Sequence, residues 1–149
     1  MQFIPIIENK KQYLDLLLLA DEQESMIDLY LERGDMYALY DEGVKSICVV
    51  TDEGDGICEL KNIATYPAFQ RKGYGKQLLH FLFEHYKETF EIIQVGTGDC
   101  PSTISFYESC GFRRSHSIPG FFTTYYDHPI FEDGNQLVDM IYLRRRLNS

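Results

Sequence analysis

Gln70-Arg71-Lys72-Gly73-Tyr74-Gly75-Lys76 is the stretch on which the reading of this 149-residue chain turns. It follows a strand candidate, Ile57 to Thr65, and a loop, Tyr66 to Gly73. It opens a helix candidate from about Tyr74 to Lys87, whose apolar positions Leu78, Leu79, Leu82, Phe83 and Tyr86 recur at helical period. Two glycines here let the backbone bend and approach a ligand closely. The unpaired N–H groups at a helix start face an anion, aided by the positive end of the helix dipole. Arg71, Lys72 and Lys76 add positive charge. The stretch is built as a phosphate or pyrophosphate cradle; read alone, it is equally an exposed basic turn capping a helix. Two nucleotide loops fit poorly. A P-loop needs GxxxxGK and then Ser or Thr, but Gln77 follows Lys76 and no glycine stands five positions before Gly75. A dinucleotide loop needs GxGxxG, and Leu78 holds the third glycine's place.

Working outward, Gln2–Ile7 reads as a strand and Lys10–Ala20 as a Leu-rich helix. Glu24–Arg33 reads as a second helix stopped by Gly34. Met36–Tyr40 and Val44–Thr51 are strands around Asp41-Glu42-Gly43. In Ile57–Thr65, alternation sets Cys58, Leu60, Asn62 and Ala64 on one face and Ile57, Glu59, Lys61, Ile63 and Thr65 on the other. Phe90–Val95 is a strand ended by Gly96-Thr97-Gly98. Ser102–Cys110 is a helix with Pro101 in its first turn and Gly111 at its end. Phe112–Ser115 begins a strand, Ser117–Gln136 is loop-rich and aromatic, and Leu137–Arg145 is the last strand. Arg144-Arg145-Arg146 reads as a solvated chain end. Early hairpins followed by alternating strands and helices predict an α/β fold: a mixed sheet of about 6–7 strands flanked by about 4 helices. A length near 150 is that of one domain, here residues 1–149.

Composition narrows the function. Asp and Glu number 23 against 14 Lys and Arg. That excess repels phosphate backbones and counts against nucleic-acid binding, which runs on clustered Lys and Arg. It favours a cationic substrate such as an amine, while serving solubility equally well. No apolar run reaches the ~18 residues of a membrane helix, and no signal-peptide pattern begins the chain, so no membrane and a cytoplasmic location are expected. Cys48, Cys58, Cys100 and Cys110 form no CxxC pair and lack histidines at zinc spacing, so no metal is expected. Cys48 and Cys58 read as buried free thiols.

At Gln70-Arg71-Lys72-Gly73-Tyr74-Gly75 the chain resembles the GNAT superfamily of acyl-CoA-dependent N-acyltransferases, whose signature is Q/R-x-x-G-x-G/A. The preceding strand Glu59–Thr65 agrees, as does Ser105-Phe106-Tyr107-Glu108-Ser109-Cys110-Gly111-Phe112, which looks like the family's FYxxxGF helix ending. The resemblance runs from about residue 2 to 145. It is nearest to small bacterial members with the tail Gly-Phe-Phe…Tyr-Tyr…Ile-Phe-Glu-Asp-Gly, here Gly120 to Gly134.

The resemblance implies acetyl-CoA as the cofactor. Its pyrophosphate would take N–H groups from Arg71 to Lys76, with Gln70, Lys72, Gly73, Tyr74 and Gly75 in the cradle. Its pantetheine arm would pair with the backbone of Ile63, Ala64 and Thr65, admitted where Ile57–Thr65 and Phe90–Val95 splay apart. The helix from Ser102 would form the other wall. Relatives often carry an Asn near that helix start; here Ser102 or Thr103 stands in its place.

Acetyl transfer to an amine needs two proton movements. An amine of pKa about 10 must lose a proton, and a thiolate whose acid has a pKa of about 8.5 must gain one. Glu59 sits where several relatives carry a general-base Glu and would act through a water; equally, it is a strand carboxylate paired with a neighbouring Lys or Arg. Tyr107 matches the family tyrosine near the CoA sulfur, against a plain packing role. Phe121, Phe122, Tyr125 and Tyr126 form an aromatic segment suited to binding an amine, or to a lid, packing or a homodimer surface. His116 and His128 are alternative bases. The reading is an N-acetyltransferase acting on a primary amine of a small molecule or peptide without a covalent acyl-enzyme. Its alternative is a non-catalytic acyl-CoA binding or sensing module.

Overall fold

The structure is a computed structural model and describes residues 1–148. In chain order the elements are β1 (Gln2–Ile6), a 3-10 turn (Lys10–Tyr13), α1 (Leu14–Ala20), α2 (Glu24–Ile27), β2 (Asp35–Tyr40), β3 (Val44–Asp52) and β4 (Ile57–Thr65). A second 3-10 turn (Pro67–Phe69) leads to α3 (Tyr74–Tyr86), β5 (Ile92–Gly98), α4 (Pro101–Ser109) and β6 (Arg113–Ile118). Then come α5 (Phe121–Tyr125), the short pair β7 (Phe131–Glu132) and β8 (Asn135–Gln136), and β9 (Met140–Arg146). Seven strands form one mixed sheet in the order β1-β2-β3-β4-β5-β9-β6. Only β4 and β5 pair in parallel, joined by the α3 crossover. The expected α/β sheet is present, with one helix more than expected: α5, inside the stretch read as loop.

Both faces of the sheet are covered. On one, the five apolar positions of α3 are buried with Cys48, Val50, Cys58, Leu60 and Ile93 of the strands and Ile104 and Tyr107 of α4. On the other, Leu16 and Leu17 of α1 pack with Ile27 and Leu31 against Ala38, Ile47 and Val49. Each fully buried Leu or Ile stabilises the fold by about 1.5–3 kcal/mol. Among the described residues all four cysteines are buried and free. Burial pushes the Cys58 thiol up to about 12 and raises the Cys48 thiol further, so both stay protonated at neutral pH.

Four expectations change. The helix expected over 24–33 stops at Ile27 and continues in turns. The Lys10 ammonium, only 7% exposed, reaches in and takes the carbonyls of Leu31 (3.0 Å), Glu32 (3.4 Å) and Gly34 (2.6 Å). Gly96-Thr97-Gly98 does not follow β5 as a break but forms its last three residues, paired with Tyr142, Ile141 and Met140 of β9. These glycines are needed for close approach: a Cβ on Gly96 would stand 2.6 Å from Met140 Sδ, and one on Gly98 2.5 Å from a Leu137 methyl. Arg144, Arg145 and Arg146 are not a loose end but strand residues paired with β5. Arg145 donates to the Cys110 carbonyl (3.1 Å) and lies 4.0 Å from the Phe83 ring centroid.

The fourth concerns β4. Asn62 faces Val49 of β3 and Leu60 faces Val50, leaving Lys61 unpaired as a bulge. The extra residue reverses the alternation. Cys58, Leu60 and Ile63 pack on the α3 side, whereas Ala64 packs on the α1 side and Asn62 bonds the Leu17 carbonyl there.

Candidate active site

The bulge sits where the sheet opens. β4 and β5 are in register only from Ile57↔Ile92 to Leu60↔Val95, although β4 runs on to Thr65 and β5 to Gly98. β4 keeps its ladder with β3 to Thr65 and β5 keeps its ladder with β9 to Gly98, so each strand has one bare edge facing the gap. A bare β edge offers main-chain donors and acceptors to an extended amide chain.

Two clefts meet at this gap. The first, of about 680 Å³, runs from Ile63, Ala64 and Thr65 past Gln70 and Arg71 to Gly73, Tyr74, Gly75 and Lys76, with Thr103, Phe106 and Tyr107 of α4 opposite. The second, of about 430 Å³, is lined by Asp21, Glu22, Lys61 and Asn62, by Gly96 to Gly98, and by Phe122 and Tyr126. Leu19, Ala20, Ile63, Thr103, Tyr107 and Glu132 line both and form the junction. The arms differ in charge: the first is flanked by Arg71 and Lys76, the second by Asp21 and Glu22.

The basic arm ends at the start of α3. Gln77 makes the first bond of the helical ladder, to the Gly73 carbonyl at 3.1 Å, and no side chain caps the helix. The N–H groups of residues 74–76 therefore precede the ladder. Gly73 adopts φ +87°, and a Cβ there would meet nothing within 4 Å; Arg71 also has positive φ, +63°. Gln70 holds the loop in place by donating to the Thr65 carbonyl at 3.1 Å. Tyr74 ties the helix start to the β2–β3 turn through Asp41 (2.9 Å). Open space, orphan donors and two cations fit the pyrophosphate of a CoA molecule, and the bare edge of residues 61–65 fits its amide-bearing arm.

Of the residues expected at the cofactor, Lys72 and Ser102 do not line the cleft. The Lys72 ammonium lies 5.8 Å from the Phe69 ring centroid, and the Ser102 hydroxyl donates to Asp133 at 2.8 Å. Thr103 lines both arms, with its hydroxyl bonded to Glu132.

Tyr107, at the junction, is buried. Burial, with a smaller contribution from the Glu132 charge, holds its phenol far above the ordinary value, so it keeps its proton at any working pH. Glu59 is 5% exposed and lines neither cleft. Its Oε1 accepts from Gln94 at 2.6 Å and its Oε2 pairs with Lys61 at 2.7 Å; Gln94 in turn accepts from Arg144 at 3.0 Å. The structure thus gives Glu59 the cationic partner that one of the two readings expected. The histidines read as alternative bases lie outside the clefts: His116 stacks on Tyr142 at 4.7 Å, and His128 bonds its neighbour Asp127 at 2.6 Å.

The aromatic segment divides. Phe122 of α5 and Tyr126, the extended residue just after it, stack at 5.6 Å on the cleft wall. Phe121 and Tyr125 are brought to neither cleft: Phe121 packs behind them and Tyr125 is 56% exposed. Asp21, Glu22 and Asn62 line the site without any sequence motif pointing to them, whereas Glu132 belongs to the Ile-Phe-Glu-Asp-Gly tail. Among the described residues no cluster of three or more His, Cys, Asp or Glu could hold a metal ion, and no helix is long and apolar enough to cross a membrane.

A sheet opened beside a basic helix start, with a second cleft meeting it at a tyrosine, defines a class: enzymes that carry acyl groups on CoA. Comparison with known proteins agrees. The family model described as an acetyltransferase (GNAT) domain matches residues 32–114. The chain is 37% identical over 139 residues to the uncharacterized N-acetyltransferase YvbK of Bacillus subtilis (strain 168), covering 91% of this chain and 90% of that protein. Among solved structures it is similar to a GNAT family acetyltransferase from Elizabethkingia anophelis with acetyl-CoA bound (32% identity, 97% of each chain, TM-score 0.91). It is also similar to a Bacillus subtilis acetyltransferase in complex with CoA (34% identity, 97% of each chain, TM-score 0.89). The chain belongs to the GNAT acetyltransferase family, whose activity is acetyl-CoA-dependent acyl transfer.

Proposed function

We propose that this protein moves an acetyl group from acetyl-CoA directly to a primary amine of a small molecule or peptide, in the cytoplasm. The observation that carries the reading is the meeting of two oppositely charged clefts at Tyr107. One arm suits an anionic pyrophosphate, the other a cationic amine. Acetyl-CoA supplies an acyl group activated as a thioester. Residues 74–76 with Arg71 and Lys76 hold the phosphates, and the bare edge of β4 holds the extended arm so that the thioester end reaches the junction. The acceptor nitrogen approaches from the second cleft, forming a C–N bond as the C–S bond breaks. Tyr107, kept protonated by burial, donates a hydrogen bond to the departing sulfur, and the thiolate takes its proton from water on release. The proton lost by the amine passes to Glu59 through a water, since both carboxylate oxygens already have protein partners.

The first test is binding and turnover together. Acetyl-CoA at 100 times its dissociation constant adds about 2.7 kcal/mol of stability. For a chain of this size that raises Tm by roughly 5–10 °C. CoA should behave alike and ATP should give no shift; thiol release should then appear with amines. A shift without release from any amine assigns the protein to acyl-CoA binding or sensing, and no shift refutes the cradle.

Two variants test the roles. Tyr107→Phe should lower kcat by about 10²-fold with KM for acetyl-CoA little changed; an unchanged kcat reduces Tyr107 to packing. Glu59→Gln should lower kcat by about 10²-fold. If kcat holds and only Tm falls, Glu59 serves only the Lys61–Gln94–Arg144 network.

A further inference from the structure

The acidic cleft contains more than an acceptor needs in order to be acetylated. Asp21 hangs from the end of α1, where its two carboxylate oxygens accept from Tyr126 (2.6 Å) and Tyr30 (2.9 Å). Tyr30 in turn accepts from Asn62 Nδ2 at 3.1 Å, and the same amide group donates to the Leu17 carbonyl at 3.0 Å. A carbonyl only accepts, so the Leu17 contact fixes which way the Asn62 amide points. Its Oδ1 is left as a buried oxygen without a hydrogen-bond partner, on a side chain 3% exposed in the cleft lining. Buried acceptors without donors are rare in folded proteins and mark places where a water, an ion or a ligand group completes the site.

The charges point the same way. Asp21, Glu22 and Glu132 face the cleft, and its one lysine, Lys61, is matched by Glu59 at 2.7 Å. Each oxygen of Asp21 keeps a free lone pair beside its tyrosine. Phe122 and Tyr126 supply stacked aromatic surface next to it.

We propose that Asp21, Asn62 and the aromatic pair Phe122–Tyr126 form a recognition site for an alkylammonium group of the acceptor, distinct from the amine that is acetylated. The substrate class is then a diamine, or an amine carrying a second cation. A carboxylate stabilises the protonated form of whatever nitrogen it holds, and a protonated nitrogen cannot attack a thioester. The group held by Asp21 is therefore the one that does not react. Burial holds the Asp21 carboxyl above its usual range despite both tyrosine hydroxyls and the charge of Lys61, as fits a site built one cation short.

The inference rests on the reading of this cleft as the acceptor arm, and its test separates the two. Alkylamines of matched length ending in NH₃⁺, CH₃ or OH are compared by thiol release from acetyl-CoA. In parallel, Tm is measured with CoA plus either 1,4-diaminobutane or n-butylamine. The diamine should be favoured by at least about tenfold in kcat/KM and should raise Tm more than the monoamine. Asp21→Asn should bring the diamine-to-monoamine ratio to near one, chiefly through KM, and abolish the extra Tm rise. Because the variant replaces a costly buried charge with a neutral group of the same shape, it should still fold and still respond to acetyl-CoA. Equal rates and equal Tm across the amines, or a loss in Asp21→Asn that strikes all amines alike, would overturn the proposal. A diamine Tm rise without thiol release would keep the cation site and remove the transferase reading.

Discussion

Replacing Gly73 by Asp is expected to weaken acetyl-CoA binding by about 10²–10³-fold, equal to roughly 2.7–4.1 kcal/mol. The fold should survive. A Cβ at Gly73 meets nothing within 4 Å, and Asp is among the residues that tolerate left-handed backbone at a cost of roughly 1–2 kcal/mol. Asp is also a favoured residue at a helix N-cap, which offsets part of that strain. What changes is the field. A carboxylate about 4 Å from a phosphate charge is opposed by about 4 kcal/mol at an effective dielectric constant of 20, before salt screening. Calorimetry of acetyl-CoA binding checks the loss, and Tm without ligand checks the fold. An unchanged dissociation constant would mean that the start of α3 does not hold the phosphates.

Lys10→Met should destabilise the protein by about 3–5 kcal/mol, since each of three carbonyls left without a donor costs about 1–3 kcal/mol and the ammonium's own desolvation offsets part of the sum. The methionine keeps the apolar stem and loses the ammonium, leaving the carbonyls of Leu31, Glu32 and Gly34 without their donor. No carboxylate bonds Lys10; converging main-chain dipoles stand in for one. For a chain of this length each kcal/mol moves Tm by about 2–4 °C, so a fall of roughly 6–20 °C is expected. The dissociation constant for acetyl-CoA should hold, because Lys10 lines neither cleft. A Tm within a degree or two of wild type would show that water replaces the ammonium at no cost.

Much of this site could be read from residues near one another in the chain. The α3 stripe and the glycines of the cradle follow local rules of periodicity and turn chemistry, and the Ile63–Thr65 edge is what the family resemblance implies. What escaped depends on contacts across the chain. The turns that follow α2 are held by an ammonium more than twenty residues upstream. Gly96 and Gly98 look like turn residues until Met140 and Leu137 are seen pressed against them. The face reversal in β4 needs the register with β3, since a bulge leaves no mark on a strand's own composition. Lys72 belongs to the signature loop but turns towards Phe69, and Ser102 is drawn away by Asp133. Of the four aromatic residues expected at the substrate, α5 and the residue just after it turn Phe122 and Tyr126 inward and the other two away, a division that a loop assignment could not supply. Asp21 and Asn62 are ordinary polar residues in sequence; only packing makes one a half-buried carboxylate between two tyrosines and the other an acceptor without a donor.

Among the described residues, the four pairs joining β4 to β5 are the sole sheet pairing between one leaf, β1 to β4, and the other, β5, β9 and β6. The molecule is in this sense a book held by a short spine. A peptide-like arm laid in the opening would stitch the leaves together along the rest of their length. Amides facing the gap would then exchange slowly with solvent, and the leaves would lose their freedom to flex about the spine. Each round of loading and release would mend and reopen the sheet, so mechanical stiffness would report occupancy on surfaces far from the reacting atoms.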